Sequence, residues 1–173
     1  MTPELLAELA RYPAFPPSAA TLIHVAGLDA AAKLIGAWPG QDVPMPKAPG
    51  GSNDASRRLW QRLVDIVGSD AAARLVLHYT GDDMLVPNLK IVATQRAHER
   101  IRIEFDALVA EGISGRVAVF ELGIKHHLSR KAVEKVLKSP SLAITPAAMP
   151  TAPSVKPRKL VVKPIDEAQG SLF

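Results

Sequence analysis

Leu22–Pro46 reads LIHVAGLDAAAKLIGAWPGQDVPMP, and 41 residues later Leu63–Pro87 reads LVDIVGSDAAARLVLHYTGDDMLVP. The two stretches align without a gap, and ten of the 25 positions are identical. The identities fall on punctuation as well as on apolar letters: Gly27/Gly68, Asp29/Asp70, Gly40/Gly81, Asp42/Asp83 and Pro46/Pro87. Unrelated Ala-rich helices would not share their breakers, so the agreement reads as an internal duplication. In each copy the Asp follows a glycine and precedes three alanines, which predicts an N-cap at Asp29 and Asp70. The helix should run to Trp38 or Tyr79 and stop at Gly40 or Gly81, where glycine takes the left-handed conformation cheaply. A short extended piece follows, Val43–Pro46 or Met84–Pro87. One repeat is therefore helix, turn, strand. A single short strand is not stable in water, so the two should pair with each other or across a dimer. Within one chain this predicts a pseudo-twofold axis, Leu34 and Leu75 at equivalent buried positions, and Val43 and Met84 in paired strands. Pro44 lacks an amide donor, which makes the first strand the poorer partner or an edge.

Outward from the repeats, Pro49–Asp54 reads as a loop. Arg57–Val67 reads as a helix with Leu59, Trp60, Leu63, Val64 and Val67 on one side. Thr94–Glu111 is a longer helix with Ile101, Phe105, Leu108 and Val109 at helical spacing, broken by Gly112-Ile-Ser-Gly115. Six of the 15 prolines fall in 139–173, where no apolar periodicity remains, so that stretch reads as a flexible tail. The expected fold is mainly α: tandem helix-strand repeats with a small two-stranded sheet, then a helix-turn-helix, then a disordered tail. The expected organisation is a duplicated domain over 1–92 (repeats 22–46 and 63–87), a second domain over 93–138, and the tail.

Apolar residues make up 47% of the chain but aromatics only 5%, so a core must come from Leu, Val, Ile and Ala. There is no cysteine, which excludes disulfides and cysteine-ligated metals and fits a reducing cytoplasm. The first residues carry acids where a signal peptide would carry lysines, and no apolar run approaches a membrane span, so no membrane association is expected. Charge is uneven. Residues 1–90 hold 8 Lys/Arg against 9 Asp/Glu, while 91–173 hold 13 against 8. A basic second half is the footprint expected of a polyanion binder.

Val119–Lys138 reads VFELGIKHHLSRKAVEKVLK. Leu122, Leu128, Val133 and Val136 fall where a helix-turn-helix buries its inter-helix contacts, and Gly123 allows close approach. Ser129 is placed to cap the second helix. His127 stands at the turn position that needs a positive φ, which histidine adopts more readily than most non-glycine residues. The second helix then presents Ser129, Arg130, Lys131, Glu134, Lys135 and Lys138 outward, its first turn towards base edges and its later lysines towards phosphates. The competing reading is a helical hairpin with a solvated basic face. His126 and His127 have no second ligand cluster beside them, so no metal or cofactor is expected. Asp82, Asp83, Glu104 and Asp106 read as turn or solvated acids, and no catalysis is expected.

The order of parts, Gly81-Asp-Asp-Met-Leu-Val-Pro87, an Arg-rich helix with Phe105, then Leu122, Leu128-Ser129, Val133 and Val136-Leu137, resembles the Mor/C family of phage Mu-type transcription activators over about Leu63–Lys138. The resemblance implies a dimerisation unit of helix and strand, and a helix-turn-helix that binds DNA upstream of phage promoters. The implied partners are double-stranded DNA, RNA polymerase and a second copy as a homodimer, with a cytoplasmic, nucleoid-associated location. The chain departs from the family at Asp82, where a second glycine is usual, and at Leu85, where an aromatic is usual. It is also longer between Phe105 and Leu122, and it carries two helix-strand units. The duplication would then supply within one chain a pairing that the family makes from two.

Gln169-Gly-Ser-Leu-Phe173 resembles the peptide by which bacterial proteins dock on the DNA polymerase sliding clamp. Gln169 and Ser171 would hydrogen-bond while Leu172 and Phe173 fill an apolar pocket, with the tail as leader. This gives an alternative function, a DNA-bound adaptor tethered to the clamp.

Overall fold

The computed structural model describes residues 1–140; the docking residues Gln169, Ser171, Leu172 and Phe173, and the tail from 141 onward, lie outside the described residues. In chain order the elements are α1 (Pro3–Leu9), α2 (Pro17–Ala26), α3 (Leu28–Ala37), β1 (Asp42–Pro44), α4 (Asp54–Val67), α5 (Ser69–Tyr79), β2 (Asp83–Leu85), α6 (Lys90–Ala110), α7 (Gly115–Lys125) and α8 (Arg130–Lys138). The fold is mainly helical with one two-stranded antiparallel sheet. No helix among the described residues is long and apolar enough to cross a membrane.

The repeat is larger than helix-turn-strand. It is two helices and a strand, α2–α3–β1 and α4–α5–β2, and a glycine joins the helices of each pair. Gly27 and Gly68 have φ of +91° and +83° with ψ near 160°, a region open essentially to glycine alone. Each glycine amide closes the helix before it, donating to Ile23 (2.9 Å) or Val64 (2.8 Å). Each glycine carbonyl opens the helix after it, accepting from Ala31 or Ala72 (both 3.0 Å). With the junction compressed into one residue, Asp29 and Asp70 are not N-caps. They sit in the first helical turn, where their charge still favours the positive end of the helix. At the far end, Gly40 and Gly81 are left-handed (φ +74° and +79°) but do not stop the helices alone. Trp38 caps α3 ahead of Pro39, and Thr80 caps α5 in a left-handed conformation of its own. α4 begins earlier than its apolar pattern suggests, because Asn53 and Ser56 form a reciprocal capping box.

The strands pair in one register: Asp42 with Leu85, Val43 with Met84, Pro44 with Asp83. Val43 and Met84 are repeat equivalents, so the central pair lies on a pseudo-twofold axis and each flanking pair maps onto the other. Beyond the strands the bonds obey the same symmetry. The Val86 amide donates to Gln41 (2.8 Å), and the Met45 amide donates to the equivalent carbonyl of Asp82 (3.2 Å). Met45–Pro46 and Val86–Pro87 lie past the paired segment, so the strands are shifted one residue towards the glycines relative to the expected spans. α2 packs on α5 and α3 on α4. Equivalent apolar residues are buried together: Leu22 and Leu63, Ala31 and Ala72, Leu34 and Leu75, Ile35 and Val76.

Two features break the symmetry. Arg74 on α5 caps the end of α2, its guanidinium donating to the carbonyls of Val25 (3.0 Å) and Ala26 (2.9 Å). Its equivalent Lys33 instead pairs with Asp29 within α3 (2.7 Å). A fork can close two carbonyls where an ammonium serves as a point charge. The second break is α1, which packs on α3; Met1 crowds Gly36, where a Cβ would come within 2.6 Å of the Met1 nitrogen. The equivalent of Gly36 is Leu77, which is exposed.

α6 leaves this core through Leu89 and Val92 and enters a second one, built from Ile101, Val119, Leu122, Val133 and Val136 with Phe105, Leu108 and Leu137 against it. Val109 and Leu128, expected in that core, are exposed. At Leu128 it is the backbone that fills the gap against α7: its amide donates to Gly123 (2.9 Å), and its carbonyl would stand 3.0 Å from a Cβ on Gly123.

Leu34→Ala and Leu75→Ala should each lower the unfolding free energy by about 2–5 kcal/mol in urea titrations. Leu77→Ala, on the uncovered face, should change it by about 0.5 kcal/mol or less. A large loss at only one of the two buried leucines would contradict their equivalence.

Candidate nucleic-acid interface

α7 ends in a Schellman motif. The amide of Leu128 donates to Gly123 (2.9 Å) and that of His127 to Ile124 (3.3 Å), with His127 left-handed at φ +54°. This is the position that glycine usually takes, and His127 occupies it. Ser129 then opens α8, its hydroxyl accepting from the Ala132 amide (3.2 Å). A helix, a four-residue turn and a nine-residue helix thus pack against α6, with Val133 and Val136 turned into the second core.

The opposite face of α8 is charged. Ser129, Arg130, Lys131, Lys135 and Lys138 are exposed, and Glu134 is half-buried. Lys131, Lys135 and Lys138 follow an i, i+4, i+7 spacing, a single stripe about 10 Å long at 1.5 Å per residue. None of the three is in an ion pair among the described residues. Arg130 pairs with Glu134 (2.8 Å), so these two of the six expected site residues face each other. The lysines line a shallow groove of about 440 Å³ together with Glu134 and Ser139.

Two side chains from α6 fix where this face points, and sequence reading gave neither of them this role. Arg102 reaches the last turn of α8: its guanidinium donates to the carbonyls of Val136 (3.0 Å) and Ser139 (3.2 Å) and to Glu99 (2.9 Å). It satisfies carbonyls that a helix end leaves open and sets a cation at the negative end of the dipole. Its buried Nε has no partner among the described residues. The Glu99/Arg102 spacing could have suggested an ion pair, but the carbonyls it reaches lie more than 30 positions away.

Glu104 is the second. Read as a solvated acid, it is instead partly buried and joins α6 to the end of α7. Its carboxylate meets His126 Nε2 (2.6 Å), Lys125 Nζ (3.2 Å) and Arg100 (3.8 Å). The hydrogen bond from His126 holds the Glu104 carboxyl below its ordinary value, Lys125 adds to this, and partial burial opposes it. His126 is therefore engaged in this clamp. Among the described residues no group of three or more His, Asp or Glu side chains could hold a metal ion.

A carboxyl with a lowered folded-state pKa stabilises the fold above its unfolded value, and the contribution is lost as pH falls through the folded value. Stability should therefore decline as pH drops below about 4.5, the ordinary value for this group. Glu104→Gln should cost about 1–2 kcal/mol at pH 7 and make the acid limb of a thermal-melt series shallower. An unchanged acid limb would mean that Glu104 does not clamp α7.

Scans of protein-family models, of curated proteins and of solved structures each return no significant match for the chain.

Proposed function

We propose that this chain is a sequence-specific DNA-binding transcription regulator of phage or mobile-element origin, resembling Mor-type activators and working without catalysis or a cofactor. The observation that carries the reading is α8: a short helix, capped at one end by Ser129 and closed at the other by Arg102, that turns only charge and hydroxyl outward. A major groove admits one helix, and the first turn meets base edges. Ser129, Arg130 and Lys131 occupy that turn, while Lys135 and Lys138 are set for phosphates. The Arg130–Glu134 pair is exposed and weak, so Arg130 can exchange it for a guanine edge at little cost, and Glu134 can accept from a cytosine amine. Double-stranded DNA is the primary partner, RNA polymerase the one implied by activation, and the nucleoid the corresponding location in the cytoplasm.

Arg130→Ala with Lys131→Ala should abolish specific gel shifts on genomic fragments and leave the melting temperature unchanged. A lost base contact should cost about 1–3 kcal/mol, whereas Lys138→Ala should mainly reduce the salt dependence, by about 0.9 in the slope of log K against log salt. Undiminished shifts in the double variant would remove α8 from the interface.

The second reading, a clamp-docked adaptor, draws on the Gln169-Gly-Ser-Leu-Phe173 peptide. Calorimetry of a 164–173 peptide against a bacterial sliding clamp should give saturable binding of about micromolar strength, lost on Leu172→Ala with Phe173→Ala. An absence of heat, with no competition against a known clamp ligand, would remove this reading and leave the regulator.

A further inference from the structure

The side of α7 that faces away from the second core is apolar. Phe120 is 64% exposed and Ile124 62%, with Val117 at 45% one turn earlier. At about 100° per residue, Val117, Phe120 and Ile124 fall within one narrow stripe, opposite the buried Ala118, Val119 and Leu122. A contiguous apolar patch of this kind marks an interaction surface more often than a scatter of single residues does. Nothing else in residues 1–140 covers it.

We propose that this face takes a second copy of the chain, with α7 packed antiparallel on α7. The stripe and its charges are self-complementary in that arrangement. With the twofold axis between Phe120 and Ile124, each Phe120 meets the partner's Ile124, and Val117 extends the apolar contact at each end. An antiparallel twofold keeps like flanks together. Glu121 and Lys125 share the flank that leads to α6, since both line the small cleft with Glu104, Ala107 and Leu108. Each Glu121 therefore comes within reach of the partner's Lys125, a complementary pair made twice. Lys125 already touches Glu104, but an ammonium has three donors and this one is well exposed. The other flank carries Arg116 and Gly123, and Gly123 adjoins the Leu128 carbonyl at the start of α8. Both α8 helices and both Arg116 side chains consequently come to one side of the dimer, and the flanks with Glu121 and Lys125 to the other.

The test is oligomeric state, read by sedimentation of the full chain without DNA, so its outcome is separate from that of the DNA-binding reading. The wild type should be dimeric at micromolar concentration, and Phe120→Glu with Ile124→Glu should be monomeric with an unchanged circular dichroism melt. The chain lacks cysteine, which allows a second measurement. Mixed Phe120→Cys and Ile124→Cys chains should form a disulfide with each other in preference to either self-pair. A monomeric wild type, a dimer that survives the double glutamate variant, or cross-linking without preference for the mixed pair would each overturn the proposal.

Discussion

A strand of three residues cannot satisfy its own backbone, and a hydrophobic face of two short helices cannot exclude water by itself. In this chain one pairing meets both needs. Val43 opposite Met84 fixes the register of β1 and β2, and that register turns the two helix pairs face to face. α2 then lies on α5 and α3 on α4, and the leucines at equivalent positions close over one core. The glycine junctions follow from the same geometry. Each helix pair must bend sharply to lay both members against the other copy, and Gly27 and Gly68 bend it in a single residue.

α6 carries this arrangement to the second core. Its 21 residues span about 31 Å. Its first turns pack on the duplicated core through Val92, and its middle supplies Ile101 and Phe105 to the cluster around α7 and α8. Ion pairs mark both stretches. Arg96 meets Glu8 of α1 (2.6 Å), which lowers the Glu8 pKa through the hydrogen bond. Arg102 and Glu104 hold the ends of α8 and α7. The second core is a small cluster around Ile101, Val119, Leu122, Val133 and Val136, so these polar anchors are the natural means of fixing the direction of α8.

The duplication was legible because glycine, aspartate and proline each leave a local mark, and the two copies keep one constant offset. The left-handed His127, the Ser129 cap and the inward Leu122, Val133 and Val136 were legible for the same reason: each depends on neighbours within a few residues. What sequence alone missed depends on distant ones. Asp29 and Asp70 looked like caps because the pattern does not reveal that Gly27 and Gly68 already end the preceding helix. Lys33 and Arg74 occupy equivalent positions with similar chemistry, yet only Arg74 caps the neighbouring helix, while Lys33 pairs with Asp29 in its own. Glu104 looked solvated because His126 and Lys125 are more than 20 positions away. Leu128 looked buried because the turn backbone that displaces its side chain has no signature in the letters.

The closure of the repeats bears on how further association can occur. In a sheet of two strands each has one open edge, and here those edges are three residues long, carry Asp42 and Asp83, and on β1 include a proline with no amide to donate. Such edges are poor templates for another strand. The two helix-strand units pair with each other inside one chain, so the surface each buries against the other is not available to a second chain. An exposed apolar stripe on α7, next to the helix that presents the lysines, lies where association could still set the spacing of two α8 helices. Each chain carries one α8, so the duplication closes the first core without pairing charged helices, and a second α8 in fixed relation to the first would have to come from association through the second core.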